Sequence, residues 1–136
     1  MKKVGIVLVN YKDYVNRYLA ECQTSIEGQT YDSQFVNVYI VDNATSQESR
    51  LFISKAYPTA KILPRYDGNY AAANNVGIKQ ALLDDCEYVV IANMDTKFGK
   101  DWLNELVKAA ENDSQIGVVQ SKIFLYPETE AEWKQP

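Results

Sequence analysis

The chain has no histidine among its 136 residues. That absence removes Ser-His-Asp and Cys-His nucleophilic machinery and every zinc site that needs an imidazole. Cysteine is scarce: Cys22 and Cys86 lie far apart, each in an apolar setting. Reduced core thiols in a reducing, cytoplasmic compartment are therefore expected, not a disulfide framework. An excess of basic residues is also lacking, since 14 Lys and Arg face 18 Asp and Glu for a net charge of −4. Such a balance argues against nucleic acid as a partner and against electrostatic binding to a membrane surface. No apolar run approaches the ~20 residues that span a bilayer. The run Val4–Val9 is too short for the core of a signal peptide. Neither G-x-G-x-x-G nor G-x-x-x-x-G-K-[ST] occurs. A nicotinamide-type Rossmann loop and a P-loop are thereby excluded, because both need glycine for close backbone approach to phosphate.

What remains is a chain of one-domain length whose short apolar runs alternate with amphipathic ones. Val4–Val9 is continuous and β-branched, as in a strand buried on both faces. Val15, Tyr18, Leu19, Cys22 and Ile26 form one stripe of a helix, with Asp13 as its expected N-cap. Phe35–Val41 predicts a second strand ending at Asp42-Asn43, and Thr45-Ser46-Gln47-Glu48 opens a helix to about Ala56 by its capping-box pattern. Lys61–Leu63 is a brief third strand, Tyr70–Leu83 a helix and Glu87–Ala92 a fourth strand. A helix from about Lys100 to Glu111 follows, and Trp102 is read as its core anchor. Ile116–Gln120 predicts a fifth strand, which Ile123–Tyr126 continues or follows. From Pro127 onward the sequence is a polar tail, so the organisation expected is 1–126 as the folded portion and 127–136 as tail. This alternation specifies an α/β fold, a mostly parallel sheet with helices on both faces.

Ligands of such sheets bind at the carboxyl ends of the strands. Polar clusters fall at those ends: Asn10-Tyr11, Asp42-Asn43, Asp67-Gly68-Asn69 and Asn93-Met94-Asp95. Each alone is ordinary turn chemistry, but together they line one edge. Asp42 suits acceptance of a hydrogen bond from a nucleobase N–H, with Tyr11 stacked on the base. Asp95, in a tight turn after a buried strand, suits Mg²⁺ or Mn²⁺ shared with substrate phosphates. The N-terminus of the helix from Tyr70 adds backbone donors for an anion.

These residues resemble the nucleotide-binding half of a family 2 glycosyltransferase of GT-A fold, nearest its rhamnosyltransferase-like members. Val7-Leu8-Val9-Asn10-Tyr11 is similar to the family's opening strand and base-binding loop, and Val41-Asp42-Asn43 to its base-contacting segment. Asp67 to Ile78, which includes Asn69 and Asn74, resembles its glycine- and asparagine-rich segment. Asn93-Met94-Asp95, followed by Asp101-Trp102-Leu103, resembles the metal motif and the helix after it. Two departures stand out: Asn93 occupies a position that is often Asp, and Asn69 replaces a glycine, where a left-handed turn is expected.

The resemblance implies a nucleotide-sugar site made by Asn10, Tyr11, Asp42, Asn43, Asn69 and Asn74, with Asp95 and Asn93 holding the cation. It further implies a UDP- or dTDP-sugar donor, a carbohydrate or lipid-linked acceptor and a place in polysaccharide biosynthesis. The family's acceptor half and its catalytic base would lie beyond this chain, which reads as truncated on its C-terminal side; Glu128, Glu130 and Glu132 match no family motif. In the full-length context a cytoplasmic protein peripheral to the membrane is expected. A half-fold also leaves an unpaired sheet edge, so a homodimer through that edge is expected. The alternative is a non-catalytic GT-A-like binding or oligomerisation module.

Overall fold

The computed structural model of the chain describes residues 1–12, 14–43 and 46–124. Among the described residues nine elements follow in order: β1 (Val4–Tyr11), α1 (Tyr14–Glu27), a 3₁₀ turn (Ser33–Phe35), β2 (Val36–Asn43), α2 (Gln47–Ala56), β3 (Lys61–Arg65), α3 (Tyr70–Leu83), β4 (Tyr88–Ala92) and α4 (Trp102–Glu111). The four strands form one parallel sheet in the order β3-β2-β1-β4. β1 is central, with Val4 paired to Val36 on one side and to Tyr88 on the other. Pro64 lies in the edge strand β3, where a missing N–H is tolerated.

Strand alternation divides the core in two. Val4, Ile6 and Leu8 of β1 and Val38 and Ile40 of β2 pack in one cluster with Val15, Leu19, Cys22 and Ile26 of α1, Ile53 of α2 and Leu103 of α4. The interleaved residues, Val7, Val9, Tyr39 and Val41, pack on the opposite face with Ala73 and Ala81 of α3 and with Cys86. Helices therefore cover both faces, as the sequence predicts. Both cysteines are free and buried. α3 approaches closely because small residues recur on its inner side: Ala73, Gly77 and Ala81.

Several expectations need correction. Ile116–Gln120 forms no strand, and neither do Ile123 and Phe124. A β-rich composition becomes a strand only through pairing, and this segment instead borders an apolar cavity of about 410 Å³ beside β4. The capping box expected at Thr45–Glu48 is replaced by a cap at Ser46, whose Oγ accepts from the Ser49 N–H at 3.3 Å. Thr45 itself lies outside the described residues, as do Asp13, Leu125, Tyr126 and the segment 127–136 with its three glutamates. Asn69 is extended at φ −85°, not left-handed, because it serves as the N-cap of α3. β2 runs on to Asn43 and β3 to Arg65, carrying the polar strand ends into the sheet itself.

Candidate functional site

The parity that divides the core also sorts the polar residues at the strand ends. Asn10 and Asp42 are register partners and follow Leu8 and Ile40 on the α1/α2 face. Tyr11 and Asn43, the next pair, follow Val9 and Val41 on the α3 face. The two pairs consequently do different things.

Asn10 and Asp42 are buried in a polar knot. Asn10 Nδ2 donates to Asp42 Oδ1 at 2.8 Å, and Asn10 Oδ1 accepts from the Val15 N–H at 3.1 Å. Asn10 thus caps the start of α1 from the end of β1. Ser49 Oγ stands 3.2 Å from both carboxylate oxygens of Asp42. Arg50 Nε is 3.4 Å from Asp42 Oδ2, an ion-pair distance without hydrogen-bond alignment. The Arg50 guanidinium continues outward over the Tyr66 ring, 5.5 Å from its centroid. With its side chain 1% exposed, Asp42 ties β2 to α2 and to β1 and does not border the neighbouring cavity.

That cavity, about 370 Å³, opens at the carboxyl ends of β1, β2 and β4 and is bordered by Tyr11, Tyr14, Asn43, Tyr70, Asn93 and Asp95, among others. Its size falls within the range of small-molecule sites. Tyr11 and Tyr14 expose 39% and 40% of their surface, leaving ring area for stacking. Asn43 is buried, yet its Oδ1 has no hydrogen-bond partner. An unpaired buried acceptor carries a desolvation cost that a ligand donor would relieve. Tyr70, the first residue of α3, donates its hydroxyl to Asn93 Oδ1 at 2.6 Å. Met94 is buried in the core while Asn93 and Asp95 on either side are exposed.

Of the residues expected at the site, Tyr11, Asn43, Asn93 and Asp95 meet at this cavity. Asn69 stands outside it as a cap, its Oδ1 accepting from the Ala72 N–H at 3.0 Å, which removes one backbone donor expected for an anion. Asn74 is buried within α3, donating to the Tyr70 carbonyl at 3.1 Å, with its own Oδ1 unpaired. Arg65 pairs with Asp67, whose carboxyl it holds below the ordinary range, and Lys97 pairs with Glu21 at 3.1 Å. Tyr14, at the opening turn of α1, is a cavity residue that sequence reasoning missed. Its signal was only its place just after a polar strand end. Burial pushes the Cys22 thiol up to about 12, with the charge of Asp95 adding to the effect, so it remains neutral.

The donor set bears on a divalent cation. Among the described residues no group of three His, Cys, Asp or Glu comes together, so the chain has no metal cage of its own there. Among the described residues, Asp95 is the one carboxylate bordering the cavity. That suits an ion such as Mg²⁺ or Mn²⁺, which takes one or two protein carboxylates and fills its remaining positions with phosphate and water.

Comparison with known proteins gives three findings. A family model described as "Glycosyl transferase family 2" matches residues 5–136. No curated protein matches the chain. Among solved structures, S. aureus TarS 1-349 is similar at a TM-score of 0.67 and 20% identity, covering 82% of this chain and 32% of that one. Its complex with UDP gives 0.64 and 19% over 89% of this chain and 39% of that one. The complex with UDP-GlcNAc gives 0.64 and 19%, over 89% and 38%. The chain spans about a third of the length of these structures, and the likeness is one of fold.

Proposed function

Since this chain belongs to glycosyl transferase family 2, we propose that its cavity holds the nucleoside diphosphate of a sugar donor for transfer of the sugar to an acceptor hydroxyl. The observation that carries this reading is the meeting of Tyr11, Asn43 and Asp95 around one cavity at the strand ends. The base stacks against the tyrosine rings, and the free amide edge of Asn43 reads it. Asp42 and Asn10 act one step removed: their buried hydrogen bond joins the ends of β1 and β2, which carry Tyr11 and Asn43. Asp95 is the residue that would hold a Mg²⁺ or Mn²⁺ ion, which when bound neutralises the leaving diphosphate. The acceptor hydroxyl needs a general base, and Asp95, the one carboxylate at the cavity among the described residues, is on this reading taken up by the cation.

The donor is a UDP- or dTDP-sugar, in keeping with the UDP and UDP-GlcNAc in the TarS complexes. On its motif series we read the chain as rhamnosyltransferase-like, acting on a carbohydrate or lipid-linked acceptor in polysaccharide biosynthesis. We place it in the cytoplasm, peripheral to the membrane in its full-length context. Among the described residues no helix is long and apolar enough to cross a membrane. Titration calorimetry with UDP tests the site. Binding is expected with Mn²⁺ present, falling at least tenfold in EDTA and to the same level in Asp95→Ala. Equal affinity in EDTA removes the cation from the reading, and no binding under any condition removes the donor.

A second reading, a non-catalytic oligomerisation module, is favoured by one specific observation. Ile91 of the edge strand β4 is 50% exposed and Val118 88% exposed, beside the apolar cavity between β4, α4 and residues 116–120. An unpaired edge with apolar side chains promotes strand pairing between chains. On this reading light scattering gives twice the monomer mass, and Ile91→Lys restores the monomer without changing UDP binding. A monomer at micromolar concentration retires it.

A further inference from the structure

The hydrogen bond between Tyr70 and Asn93 carries an inference that rests on the donor-binding reading and refines it. Tyr70 begins α3 on one face of the sheet, whereas Asn93 directly follows β4 at its edge, and both border the cavity. Their 2.6 Å contact therefore joins the start of α3 to the turn that follows β4. Tyr70 is 49% exposed, so burial does not force its hydroxyl onto this acceptor. The bond also engages Asn93 Oδ1, the one side-chain atom through which Asn93 would ligate a hard cation. Just beyond it, Met94 is 2% exposed and locked in the core. The turn is thus held at two consecutive residues, by a phenol at Asn93 and by packing at Met94, and the next side chain is Asp95.

We infer that Tyr70 is a positioning residue: its hydroxyl pins the Asn93 amide and so fixes the turn that presents Asp95, the one carboxylate at the cavity among the described residues, to the cation. Among the described residues such a site has one protein charge for a divalent ion, too little to retain it without the diphosphate. The cation consequently binds with the nucleotide, not before it.

Two measurements test this on the chain as it stands, with Mn²⁺ and UDP as probes. Electron paramagnetic resonance of Mn²⁺ is expected to show the free-ion signal with protein alone and its loss only when UDP is added. Calorimetry then follows a double-mutant cycle. Tyr70→Phe and Asn93→Ala are each expected to weaken UDP binding in Mn²⁺ by about fivefold, the scale of one neutral hydrogen bond. Neither should change UDP binding in EDTA, and the double variant should be no weaker than the weaker single one. The inference is overturned if the two losses multiply, if Tyr70→Phe weakens binding equally in EDTA, or if Mn²⁺ binds the protein alone as tightly as with UDP. Normal Mn²⁺-dependent UDP binding with an indifferent Tyr70→Phe sinks this inference and leaves the donor site standing. Failure of the unsubstituted chain to bind UDP at all sinks both.

Discussion

Asp42→Ala is expected to destabilise the protein by about 3–5 kcal/mol, the usual result of removing one partner of a buried ion pair. The substitution orphans the Asn10 amide, whose residue is fully buried, and removes both acceptors near Ser49. Arg50 softens the loss, because its side chain is 30% exposed and can turn toward water. A value near the lower end of that range follows. Urea denaturation measures it as a fall in midpoint at unchanged slope. Asp42→Asn, of equal size, should be milder: its amide oxygen still accepts from Asn10 and Ser49, while the charge is lost and an NH2 replaces the oxygen that faces Arg50. The result also separates two roles for this carboxylate. A normal midpoint with abolished UDP binding would make Asp42 a ligand contact and not a strut between β1, β2 and α2.

Gly77→Ala should also destabilise, against the ordinary trend for helix interiors, where the exchange is favourable by about 1 kcal/mol. A Cβ at position 77 would sit 2.3 Å from Val7 Cγ1 and 3.0 Å from Val7 Cγ2. Val7 is fully buried on the central strand, and its branched side chain has little rotational freedom. α3 must then lift from β1, loosening Ala73 and Ala81 as well. Overpacking of this kind loses about 1–3 kcal/mol. Thermal or urea melts report it, and the decisive control is Val7→Ala in the Gly77→Ala background. If the clash is the cause, the double variant is more stable than the sum of the singles implies. Strict additivity would refute it.

Much of this architecture was legible because its signals are periodic. Of the α1 stripe, Val15, Leu19, Cys22 and Ile26 are buried as their spacing demands while Tyr18 stays 37% exposed, and α3 has the bounds that its composition specifies. Legibility ended where one residue's meaning depends on which face of the sheet it joins. β1 is apolar on both faces from Val4 to Val9, so nothing in its pattern says whether Asn10 or Tyr11 meets the cavity. The same ambiguity made Asp42, the charged residue, the more attractive base contact than Asn43 beside it. Only register and helix placement show which of them border the cavity: α1 and α2 cover the Asn10–Asp42 face, and the cavity opens beside Tyr11 and Asn43. The predicted strand at Ile116–Gln120 failed for a related reason, since β character without a hydrogen-bonded neighbour makes no ladder. Tyr14 went unseen because a tyrosine opening a helix looks like any other half-buried aromatic.

The central place of β1 has a consequence for how the protein is made. A ribosome delivers β1 first, but its flank toward Tyr88 stays bare until residues 88–92 have emerged. Until then the nascent chain offers β1, β2 and β3 with one raw margin of Val4 to Leu8. Pairings so distant along the chain close slowly, and a half-synthesised sheet of this kind is a natural client for chaperones.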